Sequence, residues 1–185
     1  MTITSSSRDV NAHALDITAN LREPTKGTVH TPRGEFPCAL GRGGVGEDKR
    51  EGDGKTPLGV FTLRRVFYRA DRHETPVTGL PVRTIRPDDG WCDDPTHPDY
   101  NTLVRLPFAA SHEKLWRDDS IYDVLVELGY NDRPPVAGLG SAIFLHLARP
   151  HFSPTEGCIA ISRSAMERIL PNLTKGSSMR IRRHG

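Results

Sequence analysis

The chain has 185 residues, 36% of them hydrophobic and 26% charged, with a formal net charge of +2. That length suits one domain able to bury roughly 70% of its unfolded surface, and so small a charge leaves no electrostatic footprint for nucleic acid. No apolar run approaches the ~20 residues of a membrane span, and the 17 glycines and 15 prolines point to a turn-punctuated fold rather than a helical bundle.

The N-terminus, MTITSSSRDVNAHALDITANLREP, shows no basic stretch followed by an apolar one, so no secretory signal is visible. Residues 1–25 read as a flexible lead-in or an N-terminal strand ahead of a single domain spanning 1–185. Cys38, Cys92 and Cys158 are odd in number and widely spaced, which fits neither a disulfide framework nor a CxxC metal knuckle. The expectation is a protein of a reducing, cytoplasmic compartment.

Short apolar runs separated by Gly and Pro predict strands at Glu35–Leu40, Gly59–Val66, Thr102–Pro107, Ile121–Glu127, Ala142–Leu147, Cys158–Ile161 and Ser178–Arg182. Between the first two, Gly41–Gly44 (GRGG) lacks the lysine of a phosphate loop and reads as a turn. The stretch PVTGLPVRTIRPDDGWCDDPTHPDYN is too long for a hairpin, and connections of that size are often functional. Tyr100 and Asn101 at its end are candidate cleft residues. In SHEKLWRDD, His112 beside Trp116 reads as a hydrogen-bonded structural histidine, and Cys38 and Cys92 as structural or unpaired thiols. Ser164 and Glu167 predict a capping box opening a helix whose face carries Ala165, Ile169 and Leu173, closed by Lys175-Gly176. The final Met179–His184 alternates like an exposed strand end, and its basic residues read as a solvated tail.

The segment IFLHLARPHFSPTEGCIAIS, residues 143–162, carries the chemistry. A thiol attacks as thiolate, and at a free pKa of ~8.5 it needs a neighbour to take its proton. Histidine, with an unperturbed pKa of ~6.5, suits that task. His146 and Cys158 sit on neighbouring apolar runs joined by one loop, so adjacent strands would bring them to one face. Gly157 lets the chain adopt positive φ and approach an oxyanion closely. Spacing alone also accommodates a plain alternative: a small buried thiol, a turn glycine and a core histidine. A zinc site from His146, His151, Glu156 and Cys158 has the right ligand types but no familiar spacing.

Read beside GDGKTPLGVFTL at 52–63, this segment acquires a family. A TPxGxF strand, then an apolar strand bearing histidine, then a [ST]xGC strand resembles the L,D-transpeptidase catalytic (YkuD-like) family of peptidoglycan enzymes, from about Pro37 to Leu173. The resemblance implies a mostly-β fold, a β-sandwich of mixed sheets with one or two short helices, one of them after the cysteine strand. It implies Cys158 as nucleophile, His146 as base, and Gly157 as a backbone contributor to the oxyanion hole, with no metal and no cofactor. Carbapenem-type inhibitors and a periplasmic or cell-envelope location also belong to that family.

The chain departs from the usual family pattern. His146-Leu147 replaces HG, and Thr155-Glu156-Gly157-Cys158-Ile159-Ala160 replaces SHGCxR. Arg149 is expected to supply the guanidinium missing at Ala160, and Glu156 to orient an imidazole or bind an ammonium. Arg149, Thr155 and Glu156 are thus the expected substrate-binding residues for a stem peptide or muropeptide. Two alternatives stand beside transpeptidation: an L,D-carboxypeptidase acting on cytoplasmic muropeptides, and a catalytically silent peptidoglycan-binding domain.

Overall fold

The computed structural model of the chain describes residues 14–184. Its first half contributes β1 (Leu15–Ala19), β2 (Lys26–Thr31), β3 (Gly34–Ala39), β4 (Val45–Gly46), β5 (Thr56–Pro57), β6 (Gly59–Tyr68), β7 (Val82–Thr84) and β8 (Asp89–Cys92). The second half adds β9 (Leu103–Arg105), β10 (His112–Lys114), β11 (Val124–Leu128), β12 (Phe144–Leu147), β13 (Ile159–Ile161), the helix α1 (Arg163–Ile169) and β14 (Ser178–Arg183).

The large sheet runs β11-β12-β13-β3-β2-β1-β14-β6-β7, mixing parallel and antiparallel pairs. It curls until β11 also pairs with β6, so the sheet wraps around one apolar core. Period-two alternation decides which side chains enter that core. Val124, Val126, Leu145, Leu147, Ile159, Ile161, Met179 and Ile181 all point in. Burying each such aliphatic side chain stabilises the fold by about 1.5–3 kcal/mol. A bulge in β6, where Val126 pairs with Val66 but Leu128 with Leu63, turns both Leu63 and Val66 inward.

The outward faces of β6, β11 and β12 build a second apolar cluster with Phe67, Leu125 and Phe144. The smaller sheet β10-β8-β9 contributes Trp91 to it. Strands β7 and β8 lie inside the stretch expected to be one long loop.

Two expectations need correction. Met179–His184 is no solvated tail: β14 lies between β1 and β6 in the sheet, with Met179 and Ile181 fully buried. Arg180 and Arg182 both reach Asp16 on β1 from the other face. The helix is capped by Ser162 rather than Ser164: Ser162 Oγ accepts the Ala165 N–H at 3.2 Å. Glu167 therefore falls outside the capping box. The helix ends at Ile169 because Pro171 follows, and Leu173 reaches the core from beyond a short 3-10 turn.

Candidate active site

Strands β12 and β13 run parallel, with His146 opposite Ala160 and Leu145 opposite Ile159. Leu145, Leu147, Ile159 and Ile161 fill the main core, so His146 and Cys158 must face the other way as diagonal neighbours. Both are buried, and both line a cavity of about 410 Å³ together with Arg42, Glu51, Asp93, Glu113, Arg117, Tyr122, Arg149, Thr155 and Glu156.

The Cys158 thiol donates to the Ala142 carbonyl at 3.2 Å, and the Phe144 N–H points at the sulfur from 3.3 Å. Burial pushes this thiol up to about 12, with the Glu113 carboxylate adding to the effect and the Phe144 N–H and Lys49 opposing it. His146 Nδ1 lies 2.9 Å from the Leu147 carbonyl oxygen. That acceptor requires a proton on Nδ1, which leaves Nε2 as the basic nitrogen. Burial drives the imidazole down to about 4. At neutral pH the resting pair is therefore a thiol and a neutral imidazole.

Tyr122 fixes the ring from the side: its own ring meets His146 edge-on at 5.2 Å and Phe144 at 5.9 Å. The Tyr122 hydroxyl donates to Glu113 Oε1 at 2.6 Å. Burial raises the Glu113 pKa, and burial plus the Glu113 charge raises that of Tyr122. Neither residue stands out in the sequence: Glu113 lies on β10 of the small sheet and Tyr122 just ahead of β11 of the large one, and only the fold brings them together.

The loop before Cys158 is tied down by several contacts. Gly157 has φ +135, and a Cβ there would come within 2.8 Å of the Lys55 carbonyl oxygen. Its N–H donates to Thr155 Oγ1 at 3.2 Å, and Thr155 Oγ1 donates to the Cys158 carbonyl at 2.6 Å. The Gly157 N–H is thus engaged with Thr155, and Gly157 supplies the backbone angle. Thr155 borders the cavity, and its hydroxyl ties down the loop ahead of Cys158. Thr56, from the GDGKTPLG stretch, accepts from the Gly41 N–H at 2.8 Å and reaches the Cys158 carbonyl at 3.5 Å.

Tyr100 and Asn101 act behind the cavity instead of lining it. Asn101 Oδ1 accepts from Trp91 Nε1 at 2.9 Å and from the Ala142 N–H at 3.0 Å. Ala142 sits at φ +52, a conformation that a non-glycine residue holds only when its surroundings impose it. Its carbonyl is the one that accepts the hydrogen bond from the Cys158 thiol. The Tyr100 hydroxyl bonds Glu51 and accepts from the Gly140 N–H at 3.0 Å. The GRGG segment forms the expected turn, with the Gly44 N–H donating to the Gly41 carbonyl at 2.8 Å.

Glu156 is exposed and pairs with Arg42 at 2.7 Å. It therefore does not orient the imidazole, a task done by the Leu147 carbonyl. Arg149 lies on the rim with Asp119 at 3.8 Å. His151 occupies an exposed turn and does not line the cavity, and the four side chains weighed as zinc ligands do not converge. Among the described residues no group of three or more His, Cys, Asp or Glu is placed to hold a metal ion. His112 Nδ1 lies 2.8 Å from the Ala110 carbonyl oxygen, and Cys38 and Cys92 are buried and unbridged. Among the described residues no helix is long and apolar enough to cross a membrane.

The profile of the L,D-transpeptidase catalytic domain family matches residues 16–181. Among solved structures the chain is similar to L,D-transpeptidase 1 of Mycobacterium tuberculosis, at 14% identity and a TM-score of 0.38, covering 91% of this chain and 59% of that one. An L,D-transpeptidase from Mycobacterium tuberculosis H37Rv shows 15% identity and a TM-score of 0.41, with 92% and 58% covered. One from Mycobacterium smegmatis shows 13% identity and a TM-score of 0.37, with 92% and 59% covered. The chain thus spans under two thirds of the length of these proteins. No curated protein gives a match to it.

Proposed function

The chain belongs to the L,D-transpeptidase catalytic domain family, and from that membership we propose that it is a cysteine acyltransferase acting on peptidoglycan stem peptides, with Cys158 as nucleophile and His146 as general base. The observation that carries this reading is the presence of both side chains on one face of the β12–β13 pair, opening on a shared cavity.

With a protonated thiol and a neutral imidazole at rest, attack and proton transfer go together. Sulfur bonds to the carbonyl carbon before the terminal D-residue while the thiol proton moves to His146 Nε2. The tetrahedral intermediate then breaks its C–N bond, and the departing amine takes the proton from the imidazolium. The acyl group remains on Sγ as a thioester. An acceptor amine attacks it, loses a proton through His146, and the thiol is restored. The Phe144 N–H favours negative charge on sulfur throughout. Arg149 on the rim suits a substrate carboxylate. A carbapenem would acylate the same sulfur.

The test is mass spectrometry of a disaccharide-tetrapeptide incubated with and without a free D-amino acid, with Cys158→Ala as control. Exchange of the terminal residue by the wild type alone is the expected result. Release without exchange would make the protein an L,D-carboxypeptidase of muropeptides. Identical spectra for wild type and Cys158→Ala would overturn the catalytic reading and leave a peptidoglycan-binding domain.

A further inference from the structure

Lysine is almost never fully buried unless paired, yet the Lys49 side chain is only 3% exposed. It does not line the catalytic cavity. Its Nζ donates to Asp53 Oδ1 at 2.9 Å and to the Arg50 carbonyl at 3.4 Å. Asp53 also accepts the Arg50 N–H at 2.7 Å and the Lys55 N–H at 2.8 Å, so one carboxylate serves three donors.

The course of the lysine tail is read from two glycines. A Cβ on Gly140 would lie 2.8 Å from Lys49 Cε, and one on Gly157 would lie 3.3 Å from Lys49 Nζ. Both glycines hold positive φ, +103 and +135. Lys49 therefore runs between the two backbone segments that build the surroundings of the nucleophile. One leads from Gly140 to Ala142, whose carbonyl accepts the hydrogen bond of the thiol; the other is Gly157-Cys158 itself.

We propose that Lys49 is an electrostatic positioning residue for Cys158: its buried ammonium, set against the Gly157 backbone, holds the nucleophile loop and favours negative charge on Sγ as attack proceeds. The proposal rests on Cys158 being the nucleophile. The positive charge of Lys49 opposes the rise that burial and Glu113 impose on the thiol. The other charged or titratable groups around the sulfur are Glu113 on β10, Tyr122 ahead of β11, His146 on β12, and Arg42, Glu51, Asp93, Arg117, Arg149 and Glu156 along the cavity wall.

The experiment follows iodoacetamide labelling of Cys158 by mass spectrometry across a neutral-to-alkaline pH series, in the full chain, beside stem-peptide turnover. In Lys49→Met the labelling profile should move up by about one pH unit, as loss of a nearby opposite charge predicts. Turnover should fall about tenfold in kcat with KM unchanged, the pattern of an interaction acting on the transition state. Lys49→Arg should restore the profile. Asp53→Asn, which uncovers the ammonium, should move it the opposite way with turnover kept; a loosened loop would also expose the thiol and lower the profile, but would lose turnover.

A folded Lys49→Met whose profile superimposes on that of an active wild type overturns the role of Lys49 and leaves Cys158 as nucleophile. If Lys49→Met does not fold, Asp53→Asn decides: a downward shift with turnover kept supports the proposal, and no shift, an upward one, or a downward one with turnover lost overturns it. If the wild type does not turn over stem peptide, or Cys158→Ala turns it over as well, the nucleophile assignment fails and the role of Lys49 falls with it.

Discussion

His146 Nδ1 lies 2.9 Å from the carbonyl oxygen of Leu147, the residue that follows it. A histidine held by its own neighbour's backbone keeps its tautomer without any carboxylate. His146→Gln should lower kcat on the stem peptide by about 10²–10⁴-fold, the range for a positioned general base. A variant within a few-fold of wild type would remove His146 from the mechanism.

The same burial has a consequence for stability. An unfolded histidine takes up a proton near its reference value of 6.5, but the folded His146 does so only near 4. Between those values the unfolded chain binds more protons, so stability falls as pH falls across that window and is unaffected above it. The integrated loss from this residue is about 3 kcal/mol. Urea unfolding at a series of pH values should show His146→Gln losing less stability than wild type across the window. Parallel curves would mean that the imidazole protonates freely in the folded state.

Thr155 tests whether the loop ahead of Cys158 is set by one hydroxyl. Valine has nearly the same shape but can neither donate to the Cys158 carbonyl nor accept from the Gly157 N–H. Each group left unpaired costs about 1–3 kcal/mol, so Thr155→Val should destabilise measurably in urea titrations and lower turnover further than stability alone explains. Thr155→Ser keeps the hydroxyl and should restore most of both. If valine and serine behave alike, the hydroxyl is not what holds the loop.

How far these features could be read in advance depends on how local their causes are. Phe144–Leu147 and Ile159–Ile161 are apolar runs bounded by Gly or Pro, and they became strands because the pattern alone demands burial. Arg180 and Arg182 misled for the opposite reason. Their partner Asp16 lies at the other end of the chain, so a strand with one buried face resembled a charged tail. Ser162 and Ser164 both precede Glu167, and the choice of cap depends on where β13 ends, which its pairing with Cys38 on β3 decides. The bond from Thr155 to the Cys158 carbonyl is not legible in the sequence, because it depends on the positive φ of Gly157 between them. Asn101 bonds Trp91 of the small sheet, Glu113 lies on that sheet, and Tyr122 precedes β11 of the large one; no spacing within a short window points to that arrangement around Cys158.

Gly157→Ala asks for two things that the fold does not allow. The new Cβ would lie 2.8 Å from the Lys55 carbonyl oxygen, and an L-residue would have to hold φ +135. Strain of this kind costs about 1–3 kcal/mol before the collision is relieved, so Tm should fall by roughly 5–10 °C. The next residue is Cys158, so relief of the strain must displace the sulfur from the Phe144 N–H. Cys158 labelling and turnover should therefore change even where the variant is fully folded. An unchanged Tm would show that the loop relaxes without effort.

Arg149 is the least engaged guanidinium on the cavity wall. Arg42 is held by Glu156 at 2.7 Å, and Arg117 grips Asp119 through two bonds of 2.8 Å. Asp119 is 3.8 Å from Arg149, whose side chain is 47% exposed. Removing it should alter stability by less than about 0.5 kcal/mol, since exposed pairs at such distances contribute little. If Arg149 receives a substrate carboxylate, Arg149→Ala gives up a charge-assisted contact and KM for the stem peptide should rise about tenfold or more. Arg149→Lys keeps the charge but not the two-pronged geometry, so it should recover part of that affinity. An unchanged KM in both variants would remove Arg149 from substrate binding and leave Arg42 or Arg117 to be freed from its carboxylate when substrate arrives.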